Sequence, residues 1–374
     1  MHIPAMRMFF RVIGVLLSVS LLPVVVAAQS SPSRAASPST AAETATIEAG
    51  IKLHDAGKFD DAIAKYEEVL KLSPANMTAL YELAFSFAAT KDYEKSLAAA
   101  TRGTEYQSEL LPMFYDLIGG AYDSLGEAQK AIDAYKRGIQ VVPDASVLYY
   151  NMAVTYLESL KNADEARRAF EKAVALSPGQ PEFHLMLGQV FQANGYPTPA
   201  LLAFSTYLVL DPTGARALSA YGFWRAILRG GLEMGQSATT AGQTRQPPAA
   251  PPTRTAKTDE GDFSEFESAI TRSQQTVIAE MDRGADELPS FLAHVNRLIT
   301  ALAERPADRD RSTFVGSYYL PFFAELKARN FVEPFVYWSM QRAPAPGVRE
   351  WITAHQAEVR EFVTWSRNYR WPKQ

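Results

Sequence analysis

Gly57-Lys58-Phe59-Asp60-Asp61-Ala62, running on through Tyr66 to Pro74, and Gly126-Glu127-Ala128-Gln129-Lys130-Ala131, running on through Tyr135 to Pro143, are two copies of one pattern. It recurs every 34 to 35 residues from about Glu43 to Thr213. Aligned on Pro74, Ser108, Pro143, Pro178 and Pro212, the column twelve residues earlier reads Ala62, Ser96, Ala131, Ala166 and Ala200. On the preceding segment a second small column reads Gly50, Ala84, Gly119, Ala153, Gly188 and Gly222. Small residues at such places let two helix backbones approach closely. Bulk fills the neighbouring columns: Leu53, Phe87, Tyr122, Tyr156 and Phe191 on the first helix, and Tyr66, Tyr135, Phe170 and Phe204 on the second. A fixed period of this length is the mark of a solenoid, because a single repeat cannot bury its apolar face and stacked neighbours supply the core.

These stretches resemble the tetratricopeptide repeat (TPR) family, in which each unit is a pair of antiparallel helices, the turn often carries Gly and a Pro closes the unit. The resemblance covers roughly half the chain: about five repeats and a sixth first helix around Leu218 to Leu228. Ala100 stands where the family pattern has an aromatic, Ser108 replaces the Pro, and Leu160-Lys161-Asn162 adds a residue to one turn. The fold class that follows is all-α, a helix-turn-helix solenoid followed by a separate small helical domain.

The 374 residues are 47% hydrophobic and 21% charged, an ordinary globular balance with room for two domains. Residues 43–235 hold 17 Lys and Arg against 24 Asp and Glu, so the repeats are acidic and lack the clustered basic face that nucleic-acid binding needs. Arg7 and Arg11 precede an apolar run from Val12 to Val26, and Val26-Ala27-Ala28 places small residues before Gln29. This predicts a signal peptide over residues 1–28 and a periplasmic or secreted mature protein. The alternative is a membrane anchor over residues 12–28. The absence of cysteine excludes disulfides, thiol nucleophiles and thiolate metal sites.

Composition marks the remaining boundaries. Residues 29–42, rich in Ser, Pro, Ala and Thr, read as a disordered tether, and residues 43–235 as the array. Residues 236–262, with Pro247-Pro248 and Pro251-Pro252, read as a linker. Residues 263–374 read as a compact domain of four to five helices. Phe263, Phe266, Ile270, Val277 and Met281 form one apolar stripe, and Leu288, Phe291, Leu292, Val295, Leu298, Ile299 and Leu302 a second. In the aromatic stretch from Phe314 to Met340, Pro321 and Pro334 are each expected to open a short helix. A last helix is expected from about Val348 to Arg367.

No pattern for catalysis, a cofactor or a metal is present. No two histidines lie four apart with a Glu between them, and neither a phosphate-cradling glycine loop nor a glycine-flanked Ser nucleophile occurs. His184 sits in a large-residue column with Leu80, Tyr115 and Tyr149 and reads as packing. His294 and His355 have Glu287, Asp308, Glu325, Glu333 and Glu358 in the same domain, where the plain reading is a solvated surface with intrahelical pairs such as Glu325–Arg329. The aromatic stretch reads as core rather than as a ligand pocket.

Function is better argued from the groove. In the family the resemblance points to, first helices line the concave face, so residues flanking the small column should face it. Three places before that column stand Ile47, Tyr81, Asp116, Tyr150, Leu185 and Ser219. Two before stand Glu48, Glu82, Leu117, Asn151, Met186 and Ala220. One after stand Ile51, Phe85, Gly120, Val154, Gln189 and Phe223, and four after stand His54, Ala88, Asp123, Leu157, Gln192 and Ala226. No Lys or Arg appears among them. The candidate groove residues are Glu48, Tyr81, Glu82, Phe85, Asp116, Asp123, Tyr150, Asn151, Gln189 and Gln192. A clamp on an acidic peptide tail would need basic side chains, so the expected ligand is a basic or neutral protein segment or extended peptide with apolar anchors. The reading is a non-catalytic scaffold or adaptor in the cell envelope. Its rivals are a C-terminal hydrolase delivered by the repeats, a groove that binds a glycan, and a groove covered by the protein's own C-terminal domain.

Overall fold

The computed structural model describes residues 34–228, 263, 266–268, 287–305 and 312–373. The signal-like residues 1–28, the linker over 236–262 and most of the Phe263 to Met281 stripe lie outside the described residues.

The array is built of helix pairs. They are α1 (Ala41–Asp55) with α2 (Phe59–Leu72), α3 (Met77–Ala89) with α4 (Tyr93–Gly103), and α5 (Leu111–Ser124) with α6 (Ala128–Val141). Next come α7 (Ser146–Glu158) with α8 (Ala163–Leu176), α9 (Pro181–Ala193) with α10 (Pro197–Leu210), and α11 (Ala217–Leu228), which has no second helix of its own repeat among the described residues. Successive first helices touch, α1 on α3, α3 on α5 and α5 on α7, which makes one continuous face over the first four repeats. Side-chain caps start several helices: Thr40 and Glu43 form a capping box on α1, and Asn76, Asp92 and Asn162 cap α3, α4 and α8.

Each pair turns through one left-handed residue. Gly57, Gly126 and Gly195 occupy it at φ of 74°, 77° and 75°, while Lys91 and Lys161 hold it at 63° and 53°. In four repeats the next amide reaches back five residues, as Lys58 N does to Leu53 O at 2.9 Å and Glu127 N to Tyr122 O at 2.8 Å. In the fourth repeat Asn162 N reaches back six, to Tyr156 O at 2.8 Å, and Leu160 N binds Thr155 O at 3.1 Å. The added residue in this turn is absorbed there without disturbing the columns.

The glycines of the first-helix column have a more specific cause than close backbones. A methyl group at Gly50 would meet the Tyr66 ring at 2.5 Å, one at Gly119 the Tyr135 ring at 2.3 Å, and one at Gly188 the Phe204 ring at 2.7 Å. The glycine of the first helix is the socket for the ring of the second. On α11 a methyl at Gly222 would meet nothing within 4 Å among the described residues.

Structure starts earlier than the expected tether allows. Arg34–Ala35 (β1) pairs in parallel with Tyr106–Gln107 (β2), Arg34 forms an ion pair with Glu105, and Ser37 N donates to Ala75 O at 3.0 Å. Asn76 Nδ2 donates to Ser39 Oγ at 2.9 Å. Residues 34–40 therefore lie along the first two repeats.

The C-terminal helices are α12 (Glu287–Ala303), α13 (Phe314–Ala328), α14 (Val332–Ser339), α15 (Val348–Ala354) and α16 (Gln356–Arg367). Pro321 lies inside α13 rather than opening a helix, whereas Pro334 falls in the first turn of α14. The expected last helix is broken at His355, between α15 and α16. Nor do these helices form a core of their own: one apolar cluster runs from the third repeat through α10 and α11 into α12–α16. Tyr318 Oη donates to Val174 O at 3.3 Å, Trp338 Nε1 to Val209 O at 3.1 Å, and Arg342 to the carbonyls of Thr213 and Gly214 at 3.0 Å each. His184 is fully buried, with Nδ1 2.8 Å from Tyr319 Oη and Nε2 2.9 Å from Pro178 O. The packing expected of His184 is what it does, but its partner comes from α13. Every residue of α10 from Thr198 to Val209 is buried, because α9, α11, α13, α14 and α16 surround it.

Candidate partner-binding groove

Three zones follow one another along the first helices. In the first, α1 and α3 carry a stair of rings. His54 lies 5.0 Å from Phe85 at 17°, Phe85 lies 6.1 Å from Tyr81 at 8°, and Tyr81 meets the edge of Phe114 at 6.1 Å. The i, i+4 spacing puts Tyr81 and Phe85 on one face of α3. His54 is held by Ser86 Oγ, 2.8 Å from its Nδ1, and by Phe59 against its edge. Phe85 is 41% exposed. Beside this stair Glu82 is half-buried, and Glu48 stands exposed on α1. Burial, and next the charge of Asp55, push the Glu82 carboxyl above its ordinary value. Burial likewise raises the Tyr81 hydroxyl.

In the second zone the acids are already partnered. Asn151 Nδ2 donates to Asp116 Oδ1 at 2.5 Å, and Asp123 accepts from Thr155 Oγ1 at 3.0 Å and from Ser159 Oγ at 2.7 Å. These bonds tie α5 to α7. Burial pushes the Asp116 carboxyl up to about 6, against the opposing hydrogen bond from Asn151. Tyr150 is engaged too, stacked on Phe183 at 4.7 Å and set edge-on to Phe170 at 5.5 Å.

The third zone, on α9, presents Gln189 and Gln192 half-buried. Some positions of these columns are closed off: Ile47, Leu185, Ala220 and Ala226 are buried. Column position alone missed Asp55, the last residue of α1, which neighbours His54 in sequence and bears on Glu82 electrostatically.

No hydrogen bond, ion pair or ring contact joins a groove column to α12–α16 among the described residues. Those helices attach instead through α8, His184 of α9, α10 and α11. Their own histidines are built into structure. His294 is buried with Nε2 3.2 Å from Leu228 O and is pushed down to about 4 by burial. His355 lies flat on Trp351, 4.2 Å between centroids, with Nδ1 2.9 Å from Trp351 O. Glu325 makes the expected pair with Arg329 at 2.7 Å and accepts from Trp365 Nε1 at 2.9 Å. The aromatic stretch is core: Tyr318, Tyr319, Phe322, Phe323 and Phe335 are buried, and Trp371 stacks on Tyr318 and Phe322. Among the described residues no three His, Asp or Glu side chains gather as a metal site would require, and no helix is long and apolar enough to cross a membrane.

Comparison with protein-family models matches residues 50–91 to a TPR repeat, and residues 114–144 and 150–215 to tetratricopeptide repeats. The array is built of tetratricopeptide repeats. A TPR array is a protein-interaction scaffold, and the zones described above line its first-helix face. Among solved structures the chain is similar to a crystal structure of MamA, at 26% identity over 43% of this chain and 94% of that one, with a TM-score of 0.37. A thermophilic TPR protein of Thermus thermophilus matches at 22% identity over 50% of this chain and 98% of its own, with a TM-score of 0.39. PilF of Pseudomonas aeruginosa matches at 18% identity over 50% of this chain and 89% of its own, also at 0.39. No curated protein matches the chain.

Proposed function

We propose that this TPR protein is an exported, non-catalytic scaffold of the cell envelope that holds a protein partner, taken as an extended segment, along its first-helix groove. The observation that carries the reading is the half-open aromatic stair of His54, Phe85 and Tyr81 on a face without Lys or Arg. Rings of this kind supply apolar anchor area at small conformational cost. Gln189 and Gln192 continue the face with amides suited to a main chain passing over them. Export is supported by Arg7, Arg11 and the apolar run that follows them. The experiment is affinity capture on the full chain from an envelope fraction, comparing wild type with Phe85→Ala and with Gln189→Ala/Gln192→Ala. Truncating a true anchor costs about 2 kcal/mol, roughly thirtyfold in affinity. A partner held equally by all three chains is bound elsewhere, and the groove reading then fails. N-terminal sequencing of the native protein tests export, since a soluble cytoplasmic chain that retains residues 1–28 contradicts it.

A further inference from the structure

Among the acidic candidates of the groove, Asp116 and Asp123 are satisfied from within the fold by Asn151, Thr155 and Ser159. Glu82 is not. Among the described residues it has neither a hydrogen bond nor an ion pair, it is half-buried, and Asp55 adds a second negative charge near it. A carboxylate kept partly out of water beside another without a counter-charge destabilises the fold. The same surface carries Phe85, the most exposed ring of the stair, lying parallel to both His54 and Tyr81. Two requirements therefore meet at one place: a positive charge, and a flat group able to lie on an aromatic face. Guanidinium satisfies both, being planar, weakly hydrated and always charged, whereas a lysine ammonium is a strongly hydrated point charge.

We propose that the first two repeats form a seat for an arginine side chain of the partner, its guanidinium lying on the Phe85 ring and its charge met by Glu82 and Asp55. This rests on the groove reading and narrows it, since the partner segment must present an arginine to the N-terminal end of the array. The occupant comes from outside the described chain, because no Lys or Arg of the array stands in the groove columns.

The test uses the full chain and three capped twelve-residue peptides of repeated Gly-Ser-Phe-Arg, in which Arg is kept, replaced by Lys, or replaced by citrulline, its neutral isostere. Binding is read by fluorescence anisotropy at low ionic strength. The Arg peptide is expected to bind about five- to tenfold tighter than the citrulline peptide, with Lys between them. Glu82→Gln should shrink that gap to about twofold by weakening the Arg peptide more than the citrulline peptide, and its melting temperature should hold or rise because an unpartnered charge is removed. Equal binding of the Arg and citrulline peptides overturns the seat. So does an Arg preference that survives both Glu82→Gln and Phe85→Ala, a lowered melting temperature for Glu82→Gln, or no binding of any peptide. If both peptides bind equally and both weaken in Phe85→Ala, the charge seat falls while the groove reading stands. If native-partner capture ignores the groove variants, it is the groove reading that falls.

Discussion

Gly119 and Gly120 are neighbours in the middle of α5 and differ only in where an added methyl would point. At Gly119 it would lie 2.3 Å from Cε1 and 2.4 Å from Cζ of Tyr135; at Gly120 it would meet no heavy atom within 4 Å. Tyr135 is 2% exposed and wedged in the core, so its ring cannot withdraw. Both replacements by Ala gain the same helix propensity, about 0.8–1 kcal/mol. Gly120→Ala keeps that gain, whereas Gly119→Ala sets it against overpacking of about 1–3 kcal/mol. The pair should therefore separate by about 1–3 kcal/mol, with Gly120→Ala above wild type and Gly119→Ala at or below it. At roughly 2–4 °C per kcal/mol for a unit of this size, the separation is measurable by thermal unfolding of the full chain followed by far-ultraviolet circular dichroism. If Gly119→Ala is as stable as Gly120→Ala, the ring-in-socket account of the repeat is wrong.

Three further outcomes follow from burial. His184 and His294 are both pushed from 6.5 down to about 4, so as pH falls the unfolded chain takes up their protons first. Stability should drop between about pH 6.5 and 4, by up to about 3 kcal/mol per histidine, and urea melts at pH 7 and 5 that coincide would contradict this. Asp116 shifts the other way, its folded value of about 6 lying above the ordinary 3.8, so its ionised form weighs against the fold above pH 6 and ceases to below 3.8. Asp116→Asn, which keeps an acceptor for Asn151, should stabilise by about 1–2 kcal/mol at pH 8 and by nothing near pH 4; a gain of equal size at both pH values would point to another cause. Finally, residues 34–228 made alone would uncover the flank of α10 that α13, α14 and α16 cover, and should self-associate in light scattering. A monomeric fragment melting with the full chain would show that the shared core is dispensable.

The repeat architecture was legible because every unit solves the same packing problem, so the Gly50–Tyr66 and Gly119–Tyr135 pairings print themselves as columns. The state of the groove acids was not. Whether Asp116 faces a ligand or Asn151 depends on a side-chain direction across two repeats, and no spacing rule connects a column three places before the glycine with one two places before it. The docking of the C-terminal helices was also missed, yet a signal for it existed. Pro197-Thr198-Pro199-Ala200-Leu201-Leu202-Ala203-Phe204-Ser205-Thr206-Tyr207-Leu208-Val209-Leu210 has no charged residue on any side, and a helix without a polar face is one surrounded by protein. Pro321 misled because proline usually marks a helix start, while α13 carries it inside a densely packed aromatic core.

The enclosure of α10 also governs how the array deforms. A solenoid bends like a coil spring, through small rotations shared between neighbouring repeats. Here the last two repeats are splinted from outside by α13, α14 and α16, with Tyr318, Tyr319 and Trp338 acting as rivets into α8, α9 and α10. The first two repeats carry only the strap of residues 34–40, and no hydrogen bond or ring contact from α12–α16 reaches the first three repeats among the described residues. Compliance is therefore graded along the molecule: one end is stiff and sets a fixed curvature, and the other can open or tighten around whatever it grips.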